Sequence, residues 1–238
     1  MNMFIKDAPN SGEKKDWEPV KAGSHVAICF AAIDLGMQKN TFAKNEDGRD
    51  AFKRELMLAF EITDDKKKLD DGKLVPKVLT KRMAFSVAQS RQGVKSTLRK
   101  ILEAWLGFTD EKFFDGFDLA EEVIGKPAII TVNHKPRKDG DGIFEEIATI
   151  SGIVPGLPVP KMESTQISFA FPAVYGGDII KMTAEERKAV IDAVEQLPTT
   201  YKMQSKVKES QTYTLYKNEY PANEGKKLTE VSGEELPF

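Results

Sequence analysis

The residues best suited to chemistry in this chain are cations and rings in two turn-rich connections. The first, at positions 36–50, reads GMQKNTFAKNEDGRD and carries Lys39, Phe42 and Lys44. The second, at 134–142, reads HKPRKDGDG and supplies His134, Lys135, Arg137 and Lys138. Ammonium and guanidinium groups neutralise phosphates, and a ring outside any apolar register offers a face on which a planar base can stack. Phe42 is such a ring, because it lies in a polar stretch with no apolar stripe to join. Lys53, Lys77, Lys81, Arg82 and Arg91 carry the same cationic chemistry into the segments between.

Bond-making patterns fail on inspection. Two histidines, His25 and His134, and the one cysteine, Cys29, cannot fill a four-ligand zinc site. His25 and Cys29 share a strand face and read as core positions. Gly125-Lys126 is followed by Pro127, where a phosphate-cradling loop needs Ser or Thr. Asp139 and Asp141 resemble a calcium loop until Ile143, so they read as turn formers. Glu121-Glu122 and Glu145-Glu146 are adjacent pairs of a kind common on surfaces, and no nucleophile stands beside a base. The expectation is binding without catalysis, metal or cofactor.

Elements must position these side chains, and positions 77–108 are their centre. This stretch reads as a strand (77–87), a polar joint (88–93) and a helix with Val94, Leu98, Ile101, Leu102 and Trp105 on one face, stopped by Gly107. On the strand, Leu79, Met83, Phe85 and Val87 share a face that Lys81 interrupts, as at a strand end, a bulge or a groove. Two strands precede this unit. Positions 24–33 are apolar on both faces, with Gly36 as the expected end, and 53–63 alternate with Leu56, Leu58, Phe60 and Ile62 facing the core. Two more follow, at 127–133 and 144–150, before a Pro- and Gly-broken exit at 154–160. Three strands, a helix and two strands is the order of the oligonucleotide-binding barrel, the OB-fold. The predicted class is therefore mainly β: a five-stranded OB-fold barrel with a helix between strands 3 and 4, whose two cationic connections frame one groove.

Around the barrel the sequence predicts an N-terminal arm (1–22), the OB-fold domain (23–154), a small C-terminal α/β extension (155–200) and a flexible tail (201–238). In the extension, Gly176-Gly177 marks a turn and Thr183 with Glu186 makes a capping box. Val190, Ala193, Val194 and Leu197 form a stripe suited to packing on the barrel, and Pro198 ends the helix. Residues 202–233 are polar, with scattered Tyr213, Tyr216 and Tyr220, too thin in apolar content to order alone. The net charge is −2, from 35 Lys and Arg against 37 Asp and Glu, so any basic surface must arise by local segregation. A lone cysteine, a polar start unlike a signal peptide, and no run near the ~18–20 apolar residues of a spanning helix suggest a cytoplasmic protein away from membranes.

The final residues, GEELPF at 233–238, resemble the acidic tip that ends bacterial single-stranded DNA-binding proteins. Glu234, Glu235, Leu236, Pro237 and Phe238 keep the acid, apolar, Pro, Phe order, with Glu for the usual Asp and a shorter acidic run. The segments KRMAFS (81–86) and STLRKILEAWLG (96–107), the element from Phe117-Asp118-Leu119 to Ile124-Gly125-Lys126, and the exit ISGIVPG resemble bacteriophage single-stranded DNA-binding proteins and related phage replication proteins. That likeness spans roughly residues 24–156. It implies a protein that coats single-stranded DNA, cooperatively through self-association or simply, during phage DNA replication and recombination in the host bacterial cytoplasm. The tip would recruit replication or recombination proteins. The alternative is an adaptor that keeps barrel and tip but binds mainly protein, and a nuclease is a third reading.

Overall fold

A 22-residue strand, β1 (Gly23–Lys44), is the axis of the molecule. The computed structural model describes residues 18–44, 48, 50–69, 71–137, 142–154 and 156–218, the side chains of 41–43 excepted. After β1 come β2 (Asp50–Lys68), β3 (Leu74–Ala84), α1 (Thr97–Leu106), α2 (Asp110–Asp115), α3 (Leu119–Val123), β4 (Pro127–Pro136) and β5 (Ile143–Ser151). The extension adds β6 (Ile167–Phe169), α4 (Gly176–Ile179), α5 (Ala184–Glu195), α6 (Met203–Lys208) and α7 (Gln211–Lys217). Gly176-Gly177, read as a turn, opens α4.

The fold is mainly β. Its strands run β3-β2-β1-β4-β5 with antiparallel pairing, and β6 adds to β1 in parallel, making a six-stranded sheet. β6 takes the edge of β1 at Ala31–Ile33, just beyond the stretch paired with β4. The closed barrel expected from the sequence is instead an open sheet, since among the described residues β3 and β5 share no ladder. A side chain spans the gap: the Lys81 ammonium donates to the Ile147 carbonyl at 2.5 Å. Lys81 interrupts the apolar face of its strand because it reaches across this seam.

Inside the curl, Leu56, Leu58, Phe60 and Ile62 of β2 meet Leu98, Ile101, Leu102 and Trp105 of α1, as their periodicities predict. Trp105 packs on Phe60 at 5.5 Å between centroids and its indole N–H donates to the Pro127 carbonyl at 2.7 Å. The helix starts later than its apolar pattern suggests. Ser96 caps it by accepting from the Arg99 N–H, which leaves Val94 outside the helix and 64% exposed. Gly107 closes it in the left-handed region, φ 69°.

The opposite face of β1 and β2 is buried as well. Phe30, Ile33, Leu35, Met57 and Ala59 pack against Phe171, Val190, Val194, Leu197, Met203, Val207, Tyr213 and Tyr216. Val190 and Val194 of α5, with Leu197 just beyond its end, therefore dock on the sheet, whereas Ala193 of the expected stripe is exposed; the Thr183–Glu186 capping box is formed. Two expectations are corrected here. Gly36 does not end the first strand, because at φ +70° it sits beside a bulge within β1, opposite Glu55. Residues 201–218 are not a flexible tail, because Tyr213 and Tyr216 are buried and hydroxyl-bonded to Glu195 and to the Ala173 carbonyl at 3.0 and 2.9 Å. No helix among the described residues is long and apolar enough to cross a membrane.

A Cβ at Gly36 would lie 2.9 Å from Phe171 and from Thr212, and 3.0 Å from Ser210. With the strain of a positive φ added, Gly36→Ala should cost about 1–3 kcal/mol or more. Urea unfolding checks this, and an unchanged midpoint would mean that the extension does not clasp β1 at this point.

Candidate nucleic-acid interface

Three neighbouring depressions run along one side of the sheet. The first, about 430 Å³, is lined by Gln38, Lys39 and Asn40 of β1, Lys53 and Glu55 of β2, Arg82 of β3, and Lys206 and Glu209. Arg82 and Lys206 also line the second, about 520 Å³, with Lys81, Arg137, Phe144, Glu145, Glu146, Tyr201 and Lys202 among its walls. Val78 and Tyr201 continue into a third, about 350 Å³, beside Lys67 and Lys73. Five residues expected from sequence to hold a strand, Lys39, Lys53, Lys81, Arg82 and Arg137, thus share one continuous surface.

Local structure explains the convergence. The β1–β2 ribbon continues to the Lys44–Asp50 pair, so Lys39 and Lys53 stand on an arm of ladder rather than in a loose loop. Arg137 follows β4, and its Nε donates to the Ile143 carbonyl at 3.2 Å across the neck of the β4–β5 hairpin. Lys206 is set by α6, whose backbone is tied to β1 through the Gln38 amide, donating to the Lys206 carbonyl at 2.8 Å.

The acids in this surface are matched by cations or backbone donors. Glu55, buried under the first depression, accepts from Arg82 at 2.5 Å and pairs with Lys53 at 3.1 Å. Glu209 pairs with Lys206, and Lys135 holds the Glu146 carboxyl below its usual range through a direct hydrogen bond. Glu145 turns inward to accept from the Val20 N–H, and burial pushes its carboxyl up. Seven cations against four acids line the first two depressions, which leaves the surface positive in a chain of net charge −2. Two rings rise from the same walls, Phe144 at 55% and Tyr201 at 41% exposure.

Other expected contacts lie elsewhere. Lys44, with Lys39, clamps Asp50, whose carboxyl is held low by these two ammonium groups, Lys39 foremost. The His134 ring bonds the Val20 carbonyl at 2.7 Å. Arg91 is exposed in the turn closed by the Gln89–Lys95 bridge, apart from the three depressions. Lys77 is turned inward, 4% exposed, paired with Asp65 at 2.9 Å and donating to the Pro19 carbonyl at 3.0 Å. The Phe42 side chain, Lys138 and the tip Glu234, Glu235, Leu236, Pro237 and Phe238 lie outside the described residues.

Sequence reasoning missed Phe144, Tyr201, Lys202 and Lys206. Phe144 reads as the first residue of an ordinary strand, and the other three fall in or at the edge of the stretch taken for a polar tail. Among the described residues no cluster of three or more His, Cys, Asp or Glu could hold a metal ion. Burial pushes the Cys29 thiol up to about 12, which keeps it protonated and unreactive. No protein-family model matches the chain, and no curated protein matches it.

Lys77 has a structural job that can be measured. With Asp65 it anchors residues 18–21, the Lys21 N–H donating to Asp65 at 3.0 Å. Burial alone would raise the Asp65 carboxyl, but hydrogen bonds from Lys77 and the Lys21 N–H outweigh it and hold it below its usual value. A carboxyl lowered on folding stabilises fully above its unfolded pKa, and that contribution is lost as pH falls through the folded pKa. Lys77→Met should therefore lower stability at neutral pH by ~3–5 kcal/mol and flatten the acid-side decline, read from urea midpoints across pH.

Proposed function

We propose that the protein binds single-stranded DNA, on an OB-type barrel left open at one seam, and serves phage DNA replication and recombination. The observation that carries this reading is the continuous cationic surface from the β1–β2 ribbon to the β4–β5 hairpin, with Phe144 and Tyr201 exposed along it. A flexible single strand needs a positive track for its phosphates and ring faces for its bases, and this surface supplies both. The strand order β3-β2-β1-β4-β5, with helices between β3 and β4 plugging the curl, supports kinship with the OB-fold, whose closing β3–β5 contact is here bridged by Lys81. The likeness of 233–238 to the tip of bacterial single-stranded DNA-binding proteins supports recruitment of replication or recombination partners.

A second reading, an adaptor that binds mainly protein, is favoured by one feature. An apolar depression of about 560 Å³ beside α2 and α3 is walled by Phe85, Phe113, Phe117 and Phe169, and Phe114 on α2 is 86% exposed.

Fluorescence anisotropy with labelled oligo(dT) and with a duplex of equal length separates the two. The single strand should bind more tightly, with log K falling against log salt by about 0.7 per neutralised phosphate. Arg82→Ala combined with Arg137→Ala should weaken binding and reduce that slope by about 1.4. A salt-insensitive complex, or no preference over duplex, overturns the proposal.

A further inference from the structure

Between α5 and α6 the chain makes a single 3-10 turn, Thr200–Lys202, and there the backbone does something costly. Tyr201 and Lys202 have φ of 56° and 59°, in the left-handed region, and are the only non-glycine residues there among those described. Side chains with a Cβ are strained in this conformation, and neither residue has the short polar side chain that eases it. Glycine would make the same turn without strain.

The turn is held firmly from both sides. The Gln204 amide donates to the Glu195 and Leu197 carbonyls at 2.8 and 3.2 Å, its N–H donates to the Pro198 carbonyl at 3.2 Å, and Met203 is fully buried. What the strained pair achieves is the placement of two side chains. The Tyr201 ring leans edge-on against Phe30 at 6.4 Å between centroids and forms the shared wall of the second and third depressions, while Lys202 lines the second. Among the described residues Lys202 forms no ion pair. Backbone strain of this kind clusters at ligand-binding sites, and here it falls on the wall of a surface groove.

We infer that Tyr201 is a base-stacking platform and that Lys202, with Lys206, holds the phosphates beside it, so that the C-terminal extension supplies one wall of the binding groove. This rests on the single-strand reading above. The ligand is a single-stranded polynucleotide taken without sequence preference, because any base offers a ring face to Tyr201. The sheet and the β4–β5 connection contribute the facing cations, Arg82 and Arg137 among them.

The test uses the full chain, oligo(dT) anisotropy over a salt series, and thermal melting of each variant. Tyr201→Phe keeps the ring and should bind like the parent protein. Tyr201→Leu keeps the apolar contact with Phe30 but loses the platform, and should raise Kd by roughly 5- to 100-fold. Lys202→Gly removes strain and charge together, so its melting temperature should be equal or higher while binding weakens and the salt slope drops by about 0.7. A purely structural turn gives the opposite pattern, with binding unchanged in both Tyr201→Leu and Lys202→Gly. If those two bind normally while the Arg82→Ala, Arg137→Ala protein does not, the inference falls and the single-strand reading stands. If the parent protein shows no preference for oligo(dT) over duplex, both fall.

Discussion

The fold depends on a fully buried carboxylate. Asp34 accepts from the Gly36 N–H at 2.9 Å, from Arg54 Nη2 at 2.6 Å and from the Phe171 N–H at 3.2 Å. A charge stripped of water survives only where donors replace the water, and these three come from different parts of the chain. One belongs to the bulge of β1, one to β2 and one to the extension. Glu61 repeats the device, buried and accepting from the Glu163 and Ser164 N–H groups at 2.7 Å each. Lifting the extension away would take both of these donors from Glu61 and one of the three from Asp34, so the extension is part of the fold and its cations are fixed relative to those of the sheet.

That arrangement also explains what was legible in the sequence. Leu56, Leu58, Phe60 and Ile62 alternate, Leu98, Leu102 and Trp105 recur on one helical face, and Thr183 with Glu186 announces a helix start; each is a local pattern, and each is found. The other face of β2 misleads. Glu55 and Glu61 alternate away from the core-facing Leu56, Leu58, Phe60 and Ile62, yet both are buried, because one meets Arg82 and Lys53 and the other meets backbone N–H groups more than a hundred residues away. A carboxylate looks the same in sequence whether water or a distant amide satisfies it. Likewise Met203, Val207, Tyr213 and Tyr216 are split over two short helices broken at Ser210, so no single period links them.

The candidate interface was legible for the same reason and to the same extent. Lys39, Lys53 and Arg137 belong to the two hairpin connections or the strands at their base, but the strand register sets those connections at opposite ends of β1, and it is the curl of the sheet that brings the three residues to one surface. Lys77 is chemically indistinguishable from them, but its strand position faces Asp65, and only the fold decides that its charge is spent inside. Tyr201 and Lys202 were hidden by composition. Their place in the groove wall comes with a backbone conformation that residue type disfavours rather than signals.

Charge balance in the groove is better understood as alignment than as cancellation. Glu55 is nearly inaccessible, while the two cations it holds keep 38% (Arg82) and 43% (Lys53) of their side-chain surface in solvent. On the proposed reading an approaching phosphate would meet donors that need little desolvation and whose side chains are already restrained, which lowers the entropy lost on contact. The distant acids that give the chain its net charge of −2 are screened over a Debye length of about 8–10 Å. On the proposed single-strand reading, what a strand in the groove would experience is the local excess of Lys81, Arg82, Arg137, Lys202 and Lys206 beside two exposed rings. For a ligand recognised by evenly spaced charge and by the faces of its bases, the fixed direction of those few cations matters more than the total of all the others.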